Sequence, residues 1–186
     1  MKAGIAAILE AIIETDLTKI KNGIKLYFTY DEERTFGGVH ELIKKEKFPD
    51  FMIFGEPTYN EILMGGKGLL VCDVYFKGKK AHSSNPDKGI SANLNAVRFL
   101  YELEQVYLMN IKNEINTKYE VPYITMNVGI LNGGSAKNSI PAECYATLDF
   151  RLINTKHSEI ILEKMDDLFG KYNCKYEIIE QVGYAI

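Results

Sequence analysis

Between residues 68 and 181 the apolar pattern alternates between a period of two and a period near 3.6, and that order limits the fold most. Strand-like runs cover about 68–77, 123–131, 142–153 and 175–181, and helical stripes cover about 90–109 and 156–169. Ile90, Leu94, Val97 and Tyr101 stripe the first helix, and Ile161, Met165, Leu168 and Phe169 stripe the second. The order βαββαβ is that of the split βαβ, or ferredoxin-like, arrangement, with two helices on one face of a sheet.

A different style precedes it. Residues 1–14 read as a helix, with Ile5, Ile8, Leu9, Ile12 and Ile13 on one stripe and no capping residue before them. Residues 24–29 read as a strand, 39–47 as a short helix and 51–54 as a buried strand, which together make a βαβ unit with parallel strands. Acidic groups follow both strands: Asp31-Glu32-Glu33 and Glu56 in Gly55-Glu56-Pro57-Thr58. Open α/β sheets bind ligands at the carboxyl ends of their strands, so these groups are expected to converge. The expected fold class is α/β, with a partial α/β domain over 1–63 and a ferredoxin-like domain over 64–186.

Composition excludes several classes. With 22 basic and 25 acidic residues the net charge is -3, which gives no electrostatic drive toward nucleic acid. No apolar run approaches the ~20 residues that span a bilayer. Cys72, Cys144 and Cys174 lack metal or disulfide spacing and read as three buried, reduced thiols of a cytoplasmic protein.

The candidate functional residues each have a plain alternative. Glu32 and Glu33 suit a general base beside a hard-cation ligand, or a solvated turn ahead of a helix. Glu56 suits a second ligand, or an X-Pro turn. His82, in Ala81-His82-Ser83-Ser84, suits a donor to a developing oxyanion, or a solvated loop histidine. Asn138, in the glycine- and serine-rich 132–141 loop, suits a ligand contact, or a flexible hairpin. Asp149 and Arg151 share a strand face, where Arg151 suits a fork for a substrate carboxylate, or a cross-strand ion pair.

Taken in order, Met1-Lys2-Ala3-Gly4-Ile5-Ala6-Ala7, Asp31-Glu32-Glu33, Gly55-Glu56-Pro57-Thr58, Lys67-Gly68, Ala81-His82-Ser83-Ser84, Gly133-Gly134 with Asn138 and Ile140-Pro141, and Asp149-Phe150-Arg151 resemble the dinuclear zinc amidohydrolase and metallopeptidase family. That family includes acetylornithine deacetylase, succinyl-diaminopimelate desuccinylase and aminoacylase. Val121-Pro122-Tyr123 and Asn127-Val128-Gly129 look most like its acetylornithine deacetylase branch. The resemblance implies Glu32 as general base, Glu33 and Glu56 as ligands of two zinc ions, and His82 as an oxyanion donor reaching a partner subunit's site. It implies Asn138 and Arg151 as substrate contacts for a small-molecule N-acyl amino acid. It also implies that 64–186 is an inserted lid and homodimerisation domain, and that the chain is a central fragment lacking the other zinc ligands, with no nucleic acid or membrane partner. The rival expectation is a non-catalytic, self-associating ferredoxin-like module.

Overall fold

The computed structural model describes residues 2–33 and 35–183. Their contacts divide the chain into two compact units, Met1–Ile62 and Leu63–Ile186.

Among the described residues the first unit holds two α-helices, α1 (Lys2–Glu14) and α2 (Gly37–Lys45), with a short 3-10 turn at Leu17–Lys19 between them. Gly4, Ile8 and Ile12 of α1 are half-buried, while Ile5, Leu9 and Ile13 are exposed. Gly4 lies against the backbone of Gly55, where a Cβ would sit 2.9 Å from the Gly55 carbonyl oxygen. Residues 24–29 and 51–54 are not strands, which corrects the βαβ expectation. Their β-prone side chains are present, but no ladder forms among the described residues of this unit, and a strand exists only through a hydrogen-bonded neighbour. The parallel sheet edge that would align Glu33 with Glu56 is therefore absent.

The second unit follows the sequence pattern closely. Its elements are β1 (Gly68–Lys77), β2 (Ala81–His82), α3 (Ala92–Val106), β3 (Thr125–Gly133), β4 (Ser139–Ile140), β5 (Glu143–Leu152), α4 (Lys156–Tyr172) and β6 (Cys174–Val182). The main sheet has the order β3-β5-β1-β6, all antiparallel, as a split βαβ requires. Alternation on β1 and β5 decides which face packs. Leu70, Cys72, Val74 and Phe76 of β1, with Ala146, Leu148, Phe150 and Leu152 of β5, meet both helices in one buried cluster.

Helix α3 begins one residue after Ser91, whose hydroxyl accepts from the Leu94 N–H as an N-cap. Its buried face is Ala92, Ala96, Phe99 and Leu103. Of the expected stripe, Ile90 falls before the helix, and Leu94, Val97 and Tyr101 lie on its outside, each more than half exposed. The helix carries two apolar faces, and the one with small alanines approaches the sheet closely. On α4, Ile161, Met165 and Leu168 are buried as expected.

All three cysteines are free. Cys72 and Cys144 are buried, but Cys174 is only half-buried because it starts the edge strand β6. Burial pushes the Cys72 thiol up to about 12 and that of Cys174 to about 11. No described helix is long and apolar enough to cross a membrane.

Candidate functional site

In the first unit, the acidic triplet forms a closed turn. Asp31 adopts a left-handed backbone with φ 59°, and its carbonyl accepts from the Thr35 and Phe36 N–H groups at 3.3 and 2.9 Å. The Thr35 hydroxyl donates to the Asp31 carboxylate. Gly38 donates to the Tyr30 carbonyl at 3.1 Å, and a Cβ there would overlap the Tyr30 backbone. The glycine thus lets α2 press against the turn. Glu32 is half-buried and Glu33 is exposed at its tip, and Glu56 is exposed on another segment.

Zinc takes four N, O or S donors in a structural site and at least three in a catalytic one. Among the described residues no group of three or more His, Cys, Asp or Glu side chains is placed to hold a metal. Glu33 and Glu56 are two carboxylates, so the residues present do not fit a dinuclear zinc centre.

The second unit brings His82 and Asn138 together. A two-residue ladder pairs β2 with β4, setting His82 opposite Ser139, and the Ser83 N–H donates to the Asn138 carbonyl at 3.0 Å. The exposed His82 ring is held at one nitrogen. Nδ1 accepts the Ser84 N–H at 3.2 Å and lies 2.7 Å from the Ser84 hydroxyl. A backbone N–H can only donate, so the neutral ring carries its proton on Nε2. Nε2–H has no hydrogen-bond partner among the described residues, which leaves it as an outward donor.

The loop after β3 is anchored from α3. Asn93 Nδ2 donates to the Gly133 carbonyl at 3.1 Å, and the Asn93 side chain fills the space a Gly133 Cβ would need. Gly134 follows at φ +88°, a conformation that favours glycine. Neither Asn93 nor Ser84 was singled out in the sequence. Ser84 stood beside His82 as a visible local signal, whereas Asn93 lies 40 residues from the loop it holds.

Arg151 is placed elsewhere. Its Nε and a terminal guanidinium nitrogen each donate at 3.0 Å to the two oxygens of Asp149, two residues earlier on the same strand. This same-strand fork replaces the expected cross-strand pair, because both side chains leave β5 on one face within guanidinium reach. Arg151 sits eight residues along β5 from Glu143, about 27 Å at strand rise, at the sheet end away from the β2–β4 ladder.

The sequence profile of the peptidase dimerisation domain matches residues 64–177. Acetylornithine deacetylase of Pasteurella multocida (strain Pm70) is 34% identical over 188 residues, covering 96% of this chain and 48% of that protein. Acetylornithine deacetylase of Myxococcus xanthus is 31% identical over 168 residues, covering 90% and 44%. The chain thus spans about half the length of the curated relatives it matches. Among solved structures, an amidase of the hydantoinase/carbamoylase family from Burkholderia phymatum superposes with a TM-score of 0.55 at 12% identity, over 66% of this chain and 30% of that one. That likeness is one of fold, and it agrees with the four-stranded antiparallel sheet and its two helices. By the match over more than half its length, the chain belongs to the peptidase dimerisation domain family.

Proposed function

We propose that this chain forms the dimerisation lid and part of the site of a hydrolase that removes an acyl group from an N-acyl amino acid, as in the acetylornithine deacetylases. The observation that carries the reading is the β2–β4 ladder, which sets His82 beside the Asn138 segment, while Ser84 holds its Nδ1 and leaves Nε2–H outward.

Amide hydrolysis builds negative charge on the carbonyl oxygen as water adds. A donor aimed at that oxygen stabilises the transition state more than the ground state. His82 supplies the donor through Nε2–H. Asn138 holds the substrate next to it, and Glu32 takes the proton of the attacking water and returns it to the amine nitrogen as the C–N bond breaks, releasing the acyl group as a carboxylate. Arg151 exchanges Asp149 for the substrate carboxylate. Its distance from the β2–β4 ladder suits a composite site, with His82 and Asn138 from one subunit and Arg151 from its partner. The family resemblance implies zinc, but the donors gathered among the described residues do not complete a site for it.

Pairing of two chains fits the outer face of α3. Leu94, Val97 and Tyr101 recur there at helical spacing, with Ile90 just before the helix, and the edge strand β3 also exposes Val128, Ile130 and Leu131. Open edges and contiguous apolar faces are the surfaces that associate. Val97→Glu should turn a dimer into a monomer in sedimentation while leaving the far-ultraviolet circular dichroism spectrum unchanged. A dimer unaffected by this change would move the interface elsewhere.

The catalytic role is tested by grafting residues 64–182 in place of the matching segment of the Pasteurella multocida relative. An active chimera should lose about 10²–10³ in kcat on His82→Ala, with KM changed far less. A His82→Ala chimera of undiminished kcat would reduce His82 to a solvated loop residue.

A further inference from the structure

The loop that leaves β3 at Gly133 carries Asn138 and is rich in small, polar residues. Inside it the Ser139 N–H reaches the Ala136 carbonyl at a long 3.3 Å. Such a segment has few apolar groups with which to set its own shape, so the shape must be imposed by neighbours.

Two of those neighbours are consecutive residues of one helix. Ala92, the first residue of α3, donates its N–H to the Pro141 carbonyl at 2.9 Å. The first N–H groups of a helix have no partner within it, which frees this one for the loop. Asn93 follows, and its Nδ2 donates to the Gly133 carbonyl at 3.1 Å. The first turn of α3 therefore holds both feet of the loop, Gly133 and Pro141.

The contact at Gly133 is close. A Cβ there would lie 2.1 Å from Asn93 Oδ1 and 2.9 Å from the Cys144 side chain, so the amide occupies space that only glycine leaves open. That Oδ1 is buried and accepts no hydrogen bond among the described residues. An unpaired buried oxygen is costly, and an apolar side chain would avoid the cost. What an apolar side chain cannot do is donate to Gly133. Asn95 supplies a matched case two residues on. Its Nδ2 also donates at 3.1 Å, but to the carbonyl of Tyr172, the last residue of α4. The same residue type on the same helix thus ties helix to helix in one case and helix to loop in the other.

Between its feet the loop meets the His82 segment. The Ser83 N–H donates to the Asn138 carbonyl at 3.0 Å, and Ser139 pairs with His82. A shift of the Gly133 foot is passed to that bond. We propose that Asn93 is a positioning residue, which grips the loop so that Asn138 stays in register with His82. The grip stands on geometry alone, and its meaning for catalysis rests on the hydrolase reading.

The test uses hydrogen exchange on the whole chain, with the Ser83 amide as reporter. Asn93→Asp keeps the side chain's shape but replaces the donor with a carboxylate, which at neutral pH only accepts. A carboxylate in the first turn favours the helix, so the fold is expected to survive, and circular dichroism checks it. Ser83 exchange should quicken about tenfold, the size of one lost hydrogen bond whose acceptor is left unpaired. Gly133→Ala, which displaces the amide from the other side, should do the same. Asn95→Asp loses the same kind of bond and should leave Ser83 exchange within about twofold of the parent. In the active chimera Asn93→Asp should lower kcat/KM about tenfold, and Asn95→Asp less than about twofold. Unchanged Ser83 exchange in folded Asn93→Asp and Gly133→Ala, or equal quickening by Asn95→Asp, would overturn the grip. Quickened exchange with undiminished kcat/KM would uphold the grip and overturn the roles of His82 and Asn138 in hydrolysis.

Discussion

The two units use apolar residues in opposite ways. In residues 63–186, Leu70, Cys72, Val74, Leu148 and Phe150 are each 0% exposed. In residues 1–62, Phe51, Ile53 and Phe54 are 79%, 78% and 74% exposed, and the only buried described residue is Gly38. Both regions contain runs that favour strands. Only the second provides antiparallel neighbours for them, and helices to cover the resulting face. A β-prone run buries its side chains after it is paired, not before.

The largest expected effect breaks or upholds this contrast directly. Phe99 is fully buried and packs edge-on to Phe76, with ring centroids 5.3 Å apart. Phe99→Ala should cost about 3–5 kcal/mol in urea unfolding, the usual range for a buried phenylalanine. Phe54→Ala should change the same transition by less than about 0.5 kcal/mol, as an exposed side chain does. Comparable losses from the two would mean that residues 1–62 have a core of their own.

A smaller effect is confined to the second unit, since all three cysteines lie there. Burial raises the Cys72 thiol from its ordinary 9.0 to about 12. Above pH 9 the unfolded chain loses this proton while the folded chain keeps it. Unfolding then releases a proton, so stability is full below pH 9 and falls as pH rises toward 12. The slope due to Cys72 is expected to be no more than about 1 kcal/mol per pH unit, allowing for solvent screening. Cys72→Ala should flatten the stability profile between pH 9 and 10.5 relative to the parent. An unchanged slope would show that other groups, such as the tyrosines, carry the alkaline loss.

Much of the second unit was legible because strand alternation and turn residues agree with the final packing. β1 spans Gly68–Lys77, where the sequence placed it. The α3 face was misread for a physical reason. Periodicity reports that a helix has apolar faces, but not which of two meets the sheet, and large side chains on the outer one drew the assignment. The β2–β4 ladder has two residues on each strand, too few for a period to register. His82, which is on β2 itself, stands out by residue type instead, and the two serines after it offer a local partner for one ring nitrogen. In the first unit the acidic residues were found by type. Their convergence was inferred from a parallel sheet, and it fell when residues 24–29 and 51–54 formed no ladder.

The smallest expected effect concerns metal, and it sharpens what the first unit can do alone. A ligand that binds only the folded state stabilises it by RT ln(1 + [L]/Kd). Glu33 and Glu56 are exposed carboxylates on separate segments, with no third donor gathered to them among the described residues. Zinc prefers a closed set that includes nitrogen or sulfur, so such a pair holds it only weakly. With Kd on the order of 1 mM or weaker, 10 µM zinc should stabilise the chain by less than about 0.1 kcal/mol. Thermal unfolding with and without zinc should therefore coincide. Metal analysis after dialysis should find less than one zinc per chain, and Glu33→Gln and Glu56→Gln should leave that content unchanged. Two retained zinc ions, lost on either substitution, would show that residues 1–62 assemble a centre around metal rather than around apolar side chains. The contrast between the units would then be one of cohesion by ligation against cohesion by burial.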